Sequence, residues 1–149
     1  MDINPLIRHV PDPDHPGWWT WDLPPEDGFY RTVGKLLVRA DGPARAICRM
    51  FPDDTHLNLG GGVHGGALMT FIDMAMFIGP NVITGRRVSG VTLDCHIRFL
   101  APVRAALPLD AEVEILRESG RTLFVQGRVV QAGETVASFT GGLLRTPDT

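Results

Sequence analysis

Residues 65–79 are apolar at almost every position, and their polar side chains are those of Thr70 and Asp73. A helix that is apolar on every face belongs inside a protein core. Burial of a carboxylate costs free energy unless the group is paired or hydrogen-bonded. Asp73 is therefore either a hydrogen-bonded core residue or a group that is kept for chemistry.

After this stretch the apolar positions begin to alternate with polar ones. Residues 91–100 alternate from Leu93 onward, residues 110–115 alternate with period two, and strand patterns follow over 121–131 and 135–145. Turn residues separate these patterns at Ser119-Gly120 and Ala132-Gly133. Because such short turns favour antiparallel neighbours, the second half of the chain predicts about four meandering strands.

The first half adds two strands and a loop. Residues 29–51 predict two strands that turn at 41–43, and residues 52–63 a glycine-rich loop. We expect the apolar helix to stop at Gly79-Pro80, a glycine and a proline placed as helix terminators. The predicted class is α+β: a strongly curved antiparallel sheet wrapped around one long buried helix. One sheet leaves part of that helix open, so we expect a second subunit to complete the cover.

Residues 1–28 predict an arm that precedes a domain at 29–149. Turn residues punctuate the arm at 11–17 and 23–28, and three tryptophans, Trp18, Trp19 and Trp21, lie between them. Tryptophans are costly to leave in water. We expect them to pack on the domain or on a partner chain, or to form a lid over a substrate site.

Composition narrows the possible functions. The chain has 149 residues and a formal net charge of −3, so it predicts one domain with no affinity for nucleic acid or membrane surfaces. The apolar helix carries an Asp, is bounded by glycines and is too short for a membrane span. The two cysteines, Cys48 and Cys95, are too few for a disulfide framework, and the N-terminus lacks the layout of a signal peptide. We therefore expect a reducing, cytoplasmic setting.

Two sequence patterns could indicate a bound dinucleotide or a zinc ion, and both are incomplete. Gly60, Gly62 and Gly65 fit G-x-G-x-x-G, but a dinucleotide fingerprint needs a βαβ unit, and an antiparallel meander follows here. His56 and His64 have no third nearby His or Cys and fit no common zinc pattern. A G-x-S-x-G motif for a serine nucleophile is also lacking. We expect neither a metal nor an organic cofactor.

The start of the helix offers a different chemistry. Gly65 opens the helix, where amide N–H groups are free and the helix dipole is positive, so a carbonyl placed there would be polarised. Asn58 can add a donor or hold a water, and His64 can cap the helix, orient the loop or contact a substrate. Gly65 and Asp73 are eight residues apart, or about 12 Å along one helix. If both act on one carbonyl, they must come from two helices that run antiparallel across a dimer axis.

These residues carry a resemblance to a known family. Asn58, then His64-Gly65-Gly66, then Asp73 match the signature of the hotdog-fold acyl-CoA thioesterases of the PaaI type, which are related to 4-hydroxybenzoyl-CoA thioesterase. The resemblance extends over residues 29–144. It implies that the Gly65 amide polarises the thioester carbonyl beside Asn58, His64 and Gly66, and that Asp73 of the facing subunit is the general base or the nucleophile.

The resemblance also extends to residues outside that signature. Thr92 matches a position whose hydroxyl helps to hold the attacking water. Arg121 and Thr122 lie in a turn that resembles the family's Gly-Lys/Arg-Thr/Ser turn near the CoA phosphates. Phe77, one turn beyond Asp73, replaces the small or polar residue of some relatives and is a candidate substrate contact.

The sequence thus predicts a thioesterase that hydrolyses acyl-CoA to CoA and a carboxylic acid, and that works as a homodimer or a dimer of dimers. Two alternatives stay open at this point: a hotdog acyl-CoA hydratase or dehydratase, and a non-catalytic acyl-CoA-binding protein. The identity of the acyl group is open as well.

Overall fold

The fold is described from a computed structural model, in which residues 1–24 and 28–146 are placed well enough to describe. Over these residues, seven antiparallel strands form one sheet in the order β1-β2-β3-β5-β6-β7-β4, and one long α-helix packs against it. The elements in chain order are β1 (Trp19–Thr20), the 3₁₀ helix η1 (Phe29–Val33), β2 (Leu36–Ala40), β3 (Arg45–Met50), the 3₁₀ helix η2 (Asp54–His56), α1 (Gly65–Thr84), β4 (Gly90–Phe99), β5 (Leu109–Ser119), β6 (Thr122–Gln131) and β7 (Glu134–Arg145).

Helix α1 is the centre of the core. Phe71, Ile72, Ala75 and Met76 are fully buried, and the helix contacts β2, β3, β4, β5 and β7. A sheet that reaches one helix from so many of its strands must curve around it. The predicted curved antiparallel sheet around one long helix is therefore confirmed.

The predicted end of the helix at Gly79-Pro80 is wrong, because α1 continues to Thr84. Proline in a helix interior costs about 3 kcal/mol relative to alanine. Tertiary packing offsets this cost here, since Gly79 and Pro80 are both buried. A Cβ on Gly79 would lie 2.7 Å from Val113 Cβ, so the missing side chain lets α1 and β5 approach closely.

The true end of the helix is set by Asn81 and Gly85. The Gly85 N–H donates to the Asn81 carbonyl, and Gly85 has a φ of 65°, which is the left-handed conformation that favours glycine. The Asn81 side chain accepts from the Val88 N–H and donates to the Val88 carbonyl, each at 3.0 Å. These bonds fix the chain that leads from α1 into β4.

A second correction concerns the start of the domain. Residues 29–33 were expected to open a strand, but Phe29–Val33 form the 3₁₀ helix η1. Gly34 follows with a φ of 75°, which breaks the extended pattern before β2 begins at Leu36. The other predicted strands are present with small shifts of their ends. Residues 25–27 of the predicted turn at 23–28 lie outside the described residues.

The length of α1 also differs from expectation. At 20 residues it is long and apolar enough to cross a membrane by length and composition, so the expectation that it is too short was wrong. Half of its most apolar stretch is buried inside the fold, as is typical of the core helix of a folded domain. Its apolar character is therefore explained by the sheet that covers it.

Strand β4 forms one edge of the sheet and pairs with β7. The register shifts between Thr92 and Asp94, so Leu93 is the extra residue of a β-bulge. The Asp94 carboxylate accepts from the Gly142 N–H at 2.8 Å and so satisfies a donor near the shift. Leu93 is 54% exposed and Phe99 is 52% exposed, so this edge presents apolar side chains to solvent.

The N-terminal arm folds back on the opposite edge of the sheet. Its outer segment forms one bridge to β1 at Pro11↔Trp19 and one just beyond it at Arg8↔Asp22, and β1 pairs with β2. Trp18 is buried against the domain, with the guanidinium of Arg49 4.2 Å from its ring centroid. A cation over an indole face is attractive, so this contact helps to hold the arm.

Asp12 forms a second anchor of the arm. Its carboxylate lies 2.7 Å from Nζ of Lys35, the residue before β2, and 2.7 Å from His15 Nδ1. The hydrogen bond from Lys35, aided by that from His15 and by the Asp14 N–H, lowers the pKa of Asp12 to about 2. The arm is thus tied to the sheet by an ionised carboxylate.

This anchor predicts a pH dependence of stability. Because the pKa of Asp12 is lowered in the folded chain, its contacts stabilise the fold fully above the ordinary carboxyl pKa of about 4 and lose their effect as pH falls toward 2. Asp12→Asn should therefore lower the thermal midpoint at pH 7, and the difference from the unmutated chain should shrink below pH 4. Asp14→Asn, at an exposed position two residues away, is the matched control. A difference that stayed constant down to pH 2 would contradict this account.

Candidate active site

Asp73 lies half-buried on α1 where the helix meets β4. The Thr92 hydroxyl donates to Asp73 Oδ1 at 2.6 Å. Thr92 stands directly before the bulge of β4, a feature that often aims a side chain at a functional group. Within the described residues, Asp73 Oδ2 has no hydrogen-bond partner. One carboxylate oxygen is therefore fixed while the other can accept a proton from water or attack an electrophile.

An apolar cavity adjoins this carboxylate, and we call it the Asp73 cavity. Its volume is about 300 Å³. Most of its lining is apolar: Ile7, Trp21 and Leu23 come from the arm, Met74, Phe77 and Ile78 from α1, and Val88 from the segment before β4. Phe77, a predicted substrate contact, thus lines the same cavity as Asp73. Trp21 is one of the three tryptophans expected to pack on the domain or a partner chain, or to form a lid over a substrate site. Ile7 and Leu23 were missed, because nothing in their local pattern indicates what they cover.

Cys95 is the nearest candidate for a competing nucleophile. Partial desolvation, and then the negative charges of Asp73 and Asp94, raise the pKa of its thiol. A thiol is a weak nucleophile until it is deprotonated. The Cys95 thiol therefore stays protonated at neutral pH and is a weak nucleophile there.

His64 caps the first turn of α1. Its Nδ1 accepts from the Gly66 N–H at 2.8 Å, which leaves the ring proton on Nε2 in the neutral form. The Gly66 amide is thereby used inside the protein. Within the described residues, the Gly65 N–H has no acceptor. Of the two predicted glycines, Gly65 is the one whose amide is available to a ligand.

Asn58 shapes the loop that leads to the helix. Its side-chain oxygen accepts from the N–H groups of Gly60 at 2.8 Å and Gly62 at 3.2 Å. Its backbone carbonyl accepts from the Gly61 N–H at 3.1 Å. The side-chain oxygen of Asn58 is therefore occupied, and its amide nitrogen is left to donate.

The helix start and Asp73 line two different cavities in one chain. The cavity at the helix start has a volume of about 560 Å³ and includes His64, Gly66 and Thr70 in its lining. None of the residues that line it also lines the Asp73 cavity. This separation agrees with the distance of about 12 Å along the helix between Gly65 and Asp73. One described chain does not bring both groups to a single ligand.

His56, the other loop histidine, is a structural residue. It is buried, its Nδ1 accepts from the Asp53 N–H at 2.9 Å, and its Nε2 contacts the Thr32 carbonyl at 2.6 Å. Both ring nitrogens are therefore in use. Within residues 1–24 and 28–146, no group of three or more His, Cys, Asp and Glu side chains is arranged to hold a metal ion.

Arg121 lines a third cavity, of about 470 Å³, which we call the arginine cavity. Arg86, Arg87 and Arg145 also line it. Glu118 lies 2.9 Å from Arg86 and 2.7 Å from Arg145 and so neutralises part of this charge. Arg121 donates from Nε to the Arg145 carbonyl at 2.9 Å, which leaves the end of its guanidinium to bind an anion.

The arginine cavity and the Asp73 cavity share Arg87 and Ser89 in their walls. An apolar space beside a carboxylate therefore adjoins a basic space. Thr122 opens β6 opposite Ser119 and does not line either cavity. Its predicted role in substrate binding gains no support from its position.

Comparisons with known proteins agree with this fold. The chain belongs to the thioesterase superfamily, whose family model matches residues 60–138. The predicted hotdog thioesterase of the PaaI type is confirmed at this level.

Proteins from several organisms are similar to this chain. Human acyl-coenzyme A thioesterase 13 is 28% identical over 95 residues, which cover 64% of this chain and 66%, just under two thirds, of the human protein. The E. coli PaaI protein, from the phenylacetic acid degradation operon, has a TM-score of 0.70 at 25% identity and covers 83% of this chain and 88% of its own. The TT0310 protein of Thermus thermophilus has a TM-score of 0.63 at 29% identity, with coverage of 81% and 99%.

The cap at the helix start predicts the effect of changing His64. His64→Ala removes the acceptor for the Gly66 N–H and should lower the free energy of unfolding by about 1 kcal/mol, the usual effect of losing an N-cap. His64→Asn supplies another good capping oxygen and should retain most of that stability. Urea unfolding of the two variants checks this. If His64→Ala were as stable as the unmutated chain, the cap would have no energetic role.

Proposed function

We propose that this chain hydrolyses an acyl-CoA thioester to CoA and a carboxylic acid. The observation that carries the proposal is a carboxylate, Asp73, with one oxygen held by Thr92 and with an apolar cavity beside it. Membership of the thioesterase superfamily supports thioester chemistry. The human relative is named for activity on acyl-coenzyme A.

Two routes use this carboxylate. In the first, Asp73 Oδ2 takes a proton from water as the water oxygen attacks the thioester carbonyl carbon; the tetrahedral intermediate then expels CoA as a thiolate, which takes up a proton. In the second, Oδ2 attacks the carbonyl carbon itself and expels CoA, and water then hydrolyses the mixed anhydride. In both routes the Thr92 hydrogen bond fixes the direction of the reacting oxygen.

The developing oxyanion needs a donor, and the free Gly65 amide of a second subunit would supply it. In a two-fold dimer with antiparallel α1 helices, Gly65 of one chain lies opposite Asp73 of the other under one condition. The two-fold axis must pass next to the residue halfway between these two positions. That residue is Met69, which is 51% exposed although it lies on the core helix. An exposed apolar side chain at this position supports a shared site.

The edge strand β4 supports the same assembly. A long unpaired edge with exposed apolar residues favours pairing with another strand. Pairing of two β4 strands about a two-fold axis would extend the sheet and bring the two helices side by side. We therefore propose a homodimer, alone or as half of a dimer of dimers, with two equivalent sites.

The arginine cavity is the proposed site for the CoA phosphates. The chain has a formal net charge of −3, so a polyanionic ligand needs local positive charge. Arg121 and Arg87 have no carboxylate partner within the described residues, and a guanidinium can bind phosphate through two hydrogen bonds. We also propose a cytoplasmic setting, which suits the free thiols of Cys48 and Cys95.

The first test replaces Asp73 by asparagine. Asp73→Asn keeps the size of the side chain and removes its charge, so kcat should fall by about 10² to 10⁴ with KM largely unchanged. Asp94→Asn is the matched control, because asparagine keeps the oxygen that accepts from the Gly142 N–H. Release of free thiol from acyl-CoA, followed with a thiol-reactive dye, measures turnover. Such release also separates hydrolysis from hydration and from binding alone. Near-normal turnover in Asp73→Asn would remove this residue from the mechanism.

The second test asks whether two subunits share a site. Asp73→Asn chains lack the carboxylate, and Asn58→Ala chains lack the side chain that shapes the loop before Gly65. In a mixed dimer, one of the two sites combines Asp73 of one chain with the intact loop of the other. Mixing the two inactive proteins should restore up to about half of the normal activity per mixed dimer. If activity does not return after subunit exchange has been verified by mass spectrometry, each site lies within one chain.

A further inference from the structure

We propose that the N-terminal arm is a fixed wall of the acyl site and limits the substrate to compact apolar acyl groups of no more than about a dozen carbons. This inference rests on the proposed function, because it assigns the acyl group to the Asp73 cavity. It gives residues outside the superfamily match at 60–138 a direct part in substrate selection.

The arm faces the helix across this cavity. Ile7, Trp21 and Leu23 line it from the arm, and Met74 and Phe77 line it from α1. Trp21 is buried, and Ile7 and Leu23 pack against the main hydrophobic core. Without the arm, the side of α1 that carries Met74 and Phe77 would be open to solvent, and the acyl group would have no far wall.

The lining indicates a hydrocarbon ligand. Several polar side chains around the cavity already bond to the protein: the Tyr30 hydroxyl donates to the Pro24 carbonyl at 3.1 Å, and Ser89 Oγ lies 3.0 Å from Thr146 Oγ1. Arg87 stands on the side shared with the arginine cavity, where the CoA phosphates are proposed to bind. Asn81 is engaged with both backbone groups of Val88. A polar acyl substituent would therefore find few partners and would lose its hydration, which costs free energy.

The volume sets the size of the acyl group. An apolar cavity of about 150 Å³ is large enough to bind benzene, a ligand of six carbons. The Asp73 cavity is about 300 Å³, twice that volume. It therefore accommodates an acyl chain of roughly ten to twelve carbons or an acyl group with one or two rings, and the remaining carbons of an extended sixteen-carbon chain would lie outside it, in contact with water.

The arm is held at both ends, so the wall does not swing away as a lid would. At one end the Asp2 N–H donates to the Gly85 carbonyl at the end of α1, at 2.9 Å. At the other end the Trp21 N–H donates to the Leu36 carbonyl at 3.0 Å. The Asp12 ion pair to Lys35 adds a third tie. A wall fixed in this way sets an upper limit on chain length.

Reciprocal changes in the wall test the proposal. Leu23→Ala enlarges the cavity and should raise kcat/KM for sixteen-carbon relative to eight-carbon acyl-CoA by roughly tenfold. Ile7→Phe fills the cavity. It should lower kcat/KM for twelve-carbon relative to four-carbon acyl-CoA by a similar factor. Trp19→Ala is the matched control, because Trp19 belongs to the arm, stacks on His9 and does not line the cavity. Its length profile should equal that of the unmutated chain.

A second readout does not depend on hydrolysis. Binding of S-alkyl-CoA thioethers, which cannot be hydrolysed, is measured by calorimetry for the same chain lengths and the same variants. A length limit that shifts with Leu23→Ala and Ile7→Phe supports the arm as the wall, even if acyl-CoA is never turned over and the proposed hydrolysis fails. An unmutated chain that prefers sixteen carbons, a profile that no arm variant shifts, or no binding at any length would overturn the proposal.

Discussion

Helix α1 must be kept out of water on nearly every face, and the rest of the molecule is arranged to do this. One curved sheet covers the side that carries Phe71, Ile72 and Met76. The arm covers a second side, where Ile3, Ile7 and Leu23 pack on the core. Met69 is left exposed on the remaining side. The helix therefore explains the curvature of the sheet and the course of the arm, and it leaves one exposed apolar side chain for the proposed second copy of the chain to cover.

The same constraint explains where Asp73 lies. A carboxylate in the middle of the sheet-covered face would have to leave water completely, at a cost that hydrogen bonds seldom offset in full. Asp73 instead lies at the boundary between the covered face and the cavity, where it is half-buried. There a single bond from Thr92 orients it without removing all of its contact with solvent or ligand. The site thus forms where the cover of the helix is incomplete.

The sequence predicted what depends on local pattern. Alternating residues predicted the strands from β4 to β7, and the glycine loop with its helix start predicted the free amide of Gly65. The predicted helix end at Pro80 was wrong. There the local stop signal is outweighed by packing of the helix end against β5 and by the hydrogen bonds of Asn81. The strand predicted at residues 29–33 was wrong as well, because a short apolar run does not distinguish a strand from a 3₁₀ helix.

The site was predictable only in part. The pair of Asp73 and Thr92 came from a family resemblance, because residues nineteen positions apart on a helix and a strand carry no spacing rule that joins them. The sequence offered a lid over a substrate site as one role of the arm, but which arm residues line the cavity was out of reach for the same physical reason. Trp21 and Phe77 meet across one cavity only after the chain has folded, and their local sequences say nothing about each other.

The hairpin of the arm has a consequence for how copies of this protein can associate. A sheet with two long free edges would let molecules add to both sides and grow into a fibre. Here β1 has two residues, and the outer arm segment that bridges it contains Pro11, which has no N–H to offer to another strand. Within the described residues, β4 is the one long edge left. In the proposed dimer, pairing through β4 would leave no long edge free, so the arm that lines the Asp73 cavity would also keep the assembly finite.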